Sequence, residues 1–308
     1  MSNYLWDGSG PPDPDIQQLE QLLAPLRPQS QHLHGMPRRR IPWAAVAAGI
    51  VLSVAVWQLF SRAAVQPGAW VMAGNGRRIY TGETLRAAGG EAMALESEQV
   101  GKIELQPGSE LRLVESAPGR QRMQLQQGRL HAFIWAPPAQ FVVDTPSART
   151  IDLGCQYDLS VDKHGNGFLQ VQTGWVAFQA GANESFIPAG AACRTTKAGG
   201  PGIPYFEDAS PEFRSALERF EHGAFDELPV LLKSARQEDA LTLWHLLRRV
   251  DAVQAGMVFD RFAQLVHLPV DLSREQVVAR DPVALDLSWN ALGFADAQWF
   301  RGWKRDWR

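Results

Sequence analysis

The hydrophobic period changes along the chain. Between Ile16 and Leu26 the apolar residues Ile16, Leu19, Leu22, Leu23 and Leu26 fall on one stripe of a short helix. From Ile41 to Phe60 twenty residues carry no charge. From about Trp70 to Thr196 apolar and polar positions alternate in short segments closed by Pro and Gly. Beyond Ser210 the helical period returns. The pattern divides the chain into an arm (1–40), an apolar span (41–60), a β-rich region (66–196), a Gly/Pro linker (197–204) and a helical region (205–308).

The apolar run is long enough to cross a bilayer core of ~30 Å as a helix. Pro42 falls in the first turn, where its missing N–H costs little, and Trp43 and Trp57 lie near the two ends. Arg38, Arg39 and Arg40 precede the run, whereas Arg62 alone follows it closely. The positive-inside rule then predicts a single-pass inner-membrane protein with residues 1–40 cytoplasmic and 61–308 periplasmic. A buried core helix and a cleaved signal peptide are the competing readings.

In the arm, Asp13-Pro14-Asp15 has the form of a helix start. A lone helix of this length is marginal in water, so its stripe wants a partner: a cytoplasmic protein, the bilayer surface or a second copy. The β-rich region predicts a sandwich, barrel or solenoid. Its strands are expected at 102–106, 110–116, 122–127, 129–136, 140–145, 150–154, 155–161, 167–173 and 175–180, with a hairpin turn over 162–167. Residues 197–204 read as a flexible linker. Ser210-Pro211, Ser273-Arg274-Glu275-Gln276 and Asp281-Pro282 open helices of a helical-hairpin stack. At the end, Trp299, Trp303 and Trp307 share one face. That face either docks back on the preceding helices or binds a membrane or partner.

Composition adds exclusions. The 308 residues carry a net charge of −3, which gives no argument for direct nucleic-acid binding. Phosphate-loop, dinucleotide, zinc-protease and nucleophile-elbow motifs are all missing. Asp144, Asp152 and Asp158 are the carboxylates to test for glycosidase-like pairing, but solvent-facing strand carboxylates are the ordinary case. The expectation is a protein that is not an enzyme and takes no cofactor or metal.

The order of five motifs carries a family resemblance. They are T-G-E-T-L-R-A (81–87), I-E-L-Q-P-G-S-E-L-R-L (103–113), L-Q-Q-G-R-L-H-A-F (125–133), F-V-V-D-T-P-S-A-R-T-I-D-L-G-C-Q-Y-D-L-S-V (141–161), and V-Q-T-G-W-V-A-F (171–178) followed by I-P-A-G-A (187–191). Residues 68–196 resemble the FecR domain, named for the ferric-citrate regulator. The resemblance implies a mainly β outer domain, FecR-like solenoid or sandwich, on a membrane-bound regulator. Such proteins relay an envelope signal to a cytoplasmic extracytoplasmic-function sigma factor, often as anti-sigma factors. The implied partners are a sigma factor at the arm, the lipid bilayer, and an envelope protein or ligand outside. The alternative is an envelope adaptor or assembly protein without transcriptional output.

The chain holds two cysteines, Cys155 and Cys193, both in predicted strands. In an oxidising compartment they are a candidate disulfide closing a loop of about forty residues. Two separate buried thiols, or a catalytic or metal role, are the alternatives. The family pattern often has Thr at the position of Cys155.

Overall fold

The computed structural model describes residues 18, 21–24, 69–88 and 90–294. The chain forms two units, Met1–Ala64 and Val65–Arg308. In the first, residues 18 and 21–23 are helical, and Leu22 and Leu23 are exposed by 71% and 51%. Ile16, Leu19, Leu26, Arg38, Arg39, Arg40 and the 41–60 span lie outside the described residues, as do the three tail tryptophans. Among the described residues no helix is long and apolar enough to cross a membrane.

The second unit is built on one fifteen-stranded sheet. Its organising element is β6 (Arg120–Ile134), which takes part in both halves of the sheet. Its first half pairs with β5 (Glu110–Ala117) and with β7 (Phe141–Asp144). Its second half pairs with β4 (Gly101–Leu105) and β9 (Gln156–Val161). On one side the sheet continues through β8 (Arg149–Asp152), β11 (Trp175–Ala180) and β12 (Asn183–Pro188). On the other it continues through β10 (Gly167–Thr173), β13 (Ala191–Thr196) and β14 (Gly200–Pro201). β12 comes back against β13 and β14, so the sheet is nearly closed into a barrel. The short strands β1 (Val71–Met72), β2 (Thr84–Arg86), β3 (Met93–Ser97) and β15 (Tyr205–Phe206) complete it.

The sequence pattern predicts two strands over 122–136, separated by a turn at Gly128; one bent strand is found. Gly128 has φ +101°, and a Cβ there would lie 2.3 Å from Ser109. The Ser109 hydroxyl accepts the Arg129 N–H and donates to the Arg129 carbonyl, both at 2.9 Å. The glycine therefore bends the strand between the two halves of the sheet without ending it. The solenoid expectation is also corrected. Every described strand pair is antiparallel except β6–β7, whereas a solenoid would stack parallel strands.

Alternation along the strands decides the interior. β4 and β9 bury every second residue, Ile103 and Leu105 on one, Tyr157, Leu159 and Val161 on the other. Trp70 is fully buried, its indole N–H donating to Gln121 Oε1 at 3.1 Å.

Six α-helices follow among the described residues. They are α1 (Pro211–Glu221), α2 (Leu228–Ser234), α3 (Ala240–Leu247), α4 (Ala252–Leu265), α5 (Arg274–Val278) and α6 (Pro282–Asn290). The predicted starts are where the caps are: Ser210, Ser273 and Asp281 each accept an N–H from the first turn. All eight residues of α3 are buried, so it is a central helix rather than one face of a surface stack.

Residues 197–204 are not a flexible linker. Thr196 pairs with Gly200 and Thr195 with Pro201 in a tight hairpin, and Pro201, Ile203 and Pro204 are buried. Residues 197–199 make the turn, and Gly200, at φ +72°, opens the returning strand. The composition signals a turn, and the hydrogen-bonded hairpin uses it to bind the helices to the sheet.

Candidate functional site

The seam between sheet and helices concentrates the buried polar chemistry. Arg249, just past α3, donates to the Pro201 carbonyl at 2.5 Å and to the Ser185 hydroxyl at 2.6 Å. Thr242 donates to the Pro204 carbonyl at 2.8 Å. His245 Nε2 accepts the backbone N–H of Phe186, which leaves Nδ1–H to donate to the Leu241 carbonyl. Around them Trp175, Phe186, Trp244, Trp289 and Phe294 form an aromatic cluster with centroids 4.7–6.1 Å apart. These contacts join the helical region to the sheet.

Along this seam runs a cleft of about 550 Å³. Its walls are the Thr195–Ile203 hairpin, the start of β10 at Phe168, the end of α1 with Glu218 and Glu221, and Phe225 in the 3-10 turn that follows. Glu221 Oε1 accepts the Ile203 N–H at 2.6 Å. Gly202 makes room for this carboxylate, since a Cβ there would lie 2.6 Å from Oε1. The outer edge of Glu221 is open to solvent, yet the surrounding cleft atoms push its carboxyl pKa up. Arg194 sits over the Phe168 ring at 5.4 Å and donates to the Tyr205 hydroxyl at 3.0 Å. Phe225, 59% exposed, meets Phe220 edge to face at 5.4 Å.

A second polar cluster lies in the sheet interior. Asp152 is 1% exposed, and burial pushes its carboxyl up to about 7. Gly154 N–H donates to its Oδ1 at 2.7 Å and the Cys155 thiol to its Oδ2. The Tyr157 hydroxyl is fully buried and unpartnered among the described residues. Burial raises the Cys155 thiol well above its usual range, so it is held as an inert donor rather than a thiolate nucleophile.

The candidate disulfide is corrected by the register. Both cysteines are free and buried. Cys193 stands opposite Leu169 of β10, whereas Cys155 precedes Gln156, which stands opposite Thr173. With β10 between them, the two chains are two strand spacings apart, roughly 10 Å, before the offset along the strands is added. A bridge needs Cα atoms within about 7 Å. The Cys193 thiol instead faces the carbonyls of Arg194 and Gly202, both at 3.4 Å.

The three strand aspartates do not converge. Asp144 pairs with Arg122 and Arg149. Asp158 lies on the outer face, 3.1 Å from His131 Nδ1 and 2.7 Å from Gln172 Nε2. Asp152 is buried beside Cys155. Among the described residues no group of three His, Cys, Asp or Glu could hold a metal ion. Of the predicted arm contacts, Leu22 and Leu23 alone are described, and both face solvent. Sequence reasoning missed Glu221, Arg194 and Arg249, whose one local signal is the G-G-P-G run that makes the facing hairpin.

No protein-family model matches the chain. No curated protein matches it either. The chain is similar to two crystal structures of a presumed anti-sigma factor from Parabacteroides distasonis, each with 16% identity and a TM-score of 0.36. The match covers 44% of this chain and 63% of that one, so it spans less than two thirds of that protein's length.

Proposed function

We propose that the chain is a single-span inner-membrane regulator of the FecR-like kind. In this reading the β and helical body lies outside and receives an envelope signal. The cytoplasmic arm passes it to an extracytoplasmic-function sigma factor. The observation that carries the reading is the exposure of Leu22 and Leu23, 71% and 51%, on a helical turn. Neighbouring leucines left in water on a short helix suit a docking segment. The arm precedes a twenty-residue uncharged run flanked by three arginines, which supports a position across a bilayer from the body. The body offers no metal cluster among its described residues, and its buried thiols are not poised for nucleophilic chemistry.

A second reading, an envelope adaptor without transcriptional output, is favoured by the joining of helices and sheet into one unit. Deleting residues 1–30 in the chromosomal copy separates the two. The regulator reading expects a change in a defined set of transcripts. An unchanged transcriptome with a defect in an envelope complex would establish the adaptor instead.

A further inference from the structure

The geometry points to the outer face of the sheet at Phe133 and Trp135 as a binding site for a pyranose sugar, one unit of a neutral glycan. This site needs neither the membrane topology nor the sigma-factor reading.

Alternation along β6 turns Phe133 outward, and Phe133 and Trp135 are left 48% and 44% exposed. Their rings meet edge to face at 5.7 Å. The Trp135 indole N–H donates to the Glu98 carbonyl at 2.9 Å, which holds that ring in place. Across the sheet Phe133 stands between Lys102 of β4 and Gln156 of β9, and the next outward row is Glu104, His131 and Asp158. A recess of about 390 Å³ lies beside Phe133, among Glu96, Lys102, Glu104, His131 and Gln156. A single exposed apolar residue needs no ligand; two adjoining rings beside a recess form a platform.

The polar groups around the platform decide what it takes. His131 Nδ1 lies 3.1 Å from Asp158 Oδ1, and its Nε2 lies 3.3 Å from Gln156 Nε2. Nδ1–H therefore donates to the carboxylate, and Nε2 accepts from the amide. Gln172 Nε2 donates to the other Asp158 oxygen at 2.7 Å. Lys102 pairs with Glu96 at 3.1 Å, and Glu104 accepts from Gln106 at 3.0 Å. An anion would meet three carboxylates against one ammonium, and a cation would find each carboxylate already taken by a donor. The ligand that fits is neutral.

What the recess still offers is an open ring face and a rim of planar groups. Gln156 keeps its carbonyl oxygen and one N–H, and the carboxylates keep spare lone pairs. A pyranose matches that set. Its C–H face is apolar and lies flat on an aromatic ring, while its hydroxyls donate and accept around the edge. The rim side chains already hold one another, so little order is lost on binding. The recess takes one sugar ring, and Trp135 stands where the next ring of a chain would lie.

The test is saturation-transfer-difference NMR of the detergent-solubilised full chain with cellotriose and with N,N′,N″-triacetylchitotriose. Saturation should reach the ring C–H protons of a bound sugar. Mannitol, a polyol without a ring, is the control and should receive none. Phe133→Leu keeps an apolar side chain but loses the flat face, and should weaken binding by about tenfold. Phe133→Tyr keeps the face and should retain binding. Gln156→Ala should weaken it severalfold. Near-UV circular dichroism checks that the variants keep the native fold. Transfer to the chitotriose alone identifies an N-acetylated glycan as the ligand type; transfer to cellotriose identifies the unsubstituted ring as sufficient. No transfer to either sugar at millimolar concentration overturns the proposal. So does undiminished binding by Phe133→Leu, or equal transfer to mannitol.

Discussion

His245 Nε2 accepts the backbone N–H of Phe186 at 3.1 Å, across 59 residues of sequence. Phe186 lies on β12, the strand at the end of the sheet order, and His245 lies on the fully buried α3. An edge strand left with unpaired N–H groups invites association with other chains. Here a helix side chain takes up one of those groups.

Replacing His245 by Leu should therefore cost about 1–3 kcal/mol, the penalty for a buried N–H left without an acceptor. Urea denaturation of the full chain measures it. Wild-type stability in the variant would mean that the contact is incidental.

Gly128→Ala should be among the most damaging single substitutions in the sheet. It combines φ +101° with a Cβ placed 2.3 Å from Ser109. The cost should exceed ~2 kcal/mol. Gly108→Ala, at φ +82° with no atom within 4 Å of the new Cβ, should cost only ~1 kcal/mol. Equal costs would show that close packing at Ser109 contributes nothing.

Asp152 makes stability depend on pH. Its native carboxyl keeps its proton up to about pH 7, while the unfolded carboxyl loses it near 3.8. Between these values the native state binds more protons. The contribution to stability is thus complete below the unfolded pKa and is lost as pH rises towards 7. From pH 5 to pH 8 the loss is about 2–3 kcal/mol, at ~1.4 kcal/mol per pH unit below 7. Asp152→Asn should flatten the profile by that amount. Parallel profiles for wild type and variant would place the Asp152 pKa in the ordinary range.

Both thiols should be reduced and shielded. Intact mass should show no loss of two hydrogens, and iodoacetamide should label Cys155 and Cys193 only after denaturation. A mass two hydrogens short in the purified protein would mean that β10 does not lie between β9 and β13.

The strands were legible because alternation is a local signal: Ile103, Leu105, Leu159 and Val161 declare their face within a few residues. The helix starts were legible for the same reason, through Ser210, Ser273 and Asp281. Gly128 misleads because a bend and a turn both need positive φ, and only the packing of Ser109 tells them apart. The cysteine pairing misleads because strand neighbourhood is set by long-range order: β10 separates β9 from β13. The cleft was invisible for a similar reason. Its residues come from Phe168, Arg194, Gly202, Glu221 and Arg249, positions that only the folded sheet and helices bring together.

In the proposed function the arm engages a sigma factor through its exposed leucines, Leu22 and Leu23. The most direct test is co-purification of the tagged full chain from solubilised membranes, with the bound proteins identified by mass spectrometry. A sigma factor is expected with wild type and is lost in Leu22→Asp/Leu23→Asp at equal bait recovery. No sigma factor with wild type, or undiminished recovery with the double variant, would contradict it.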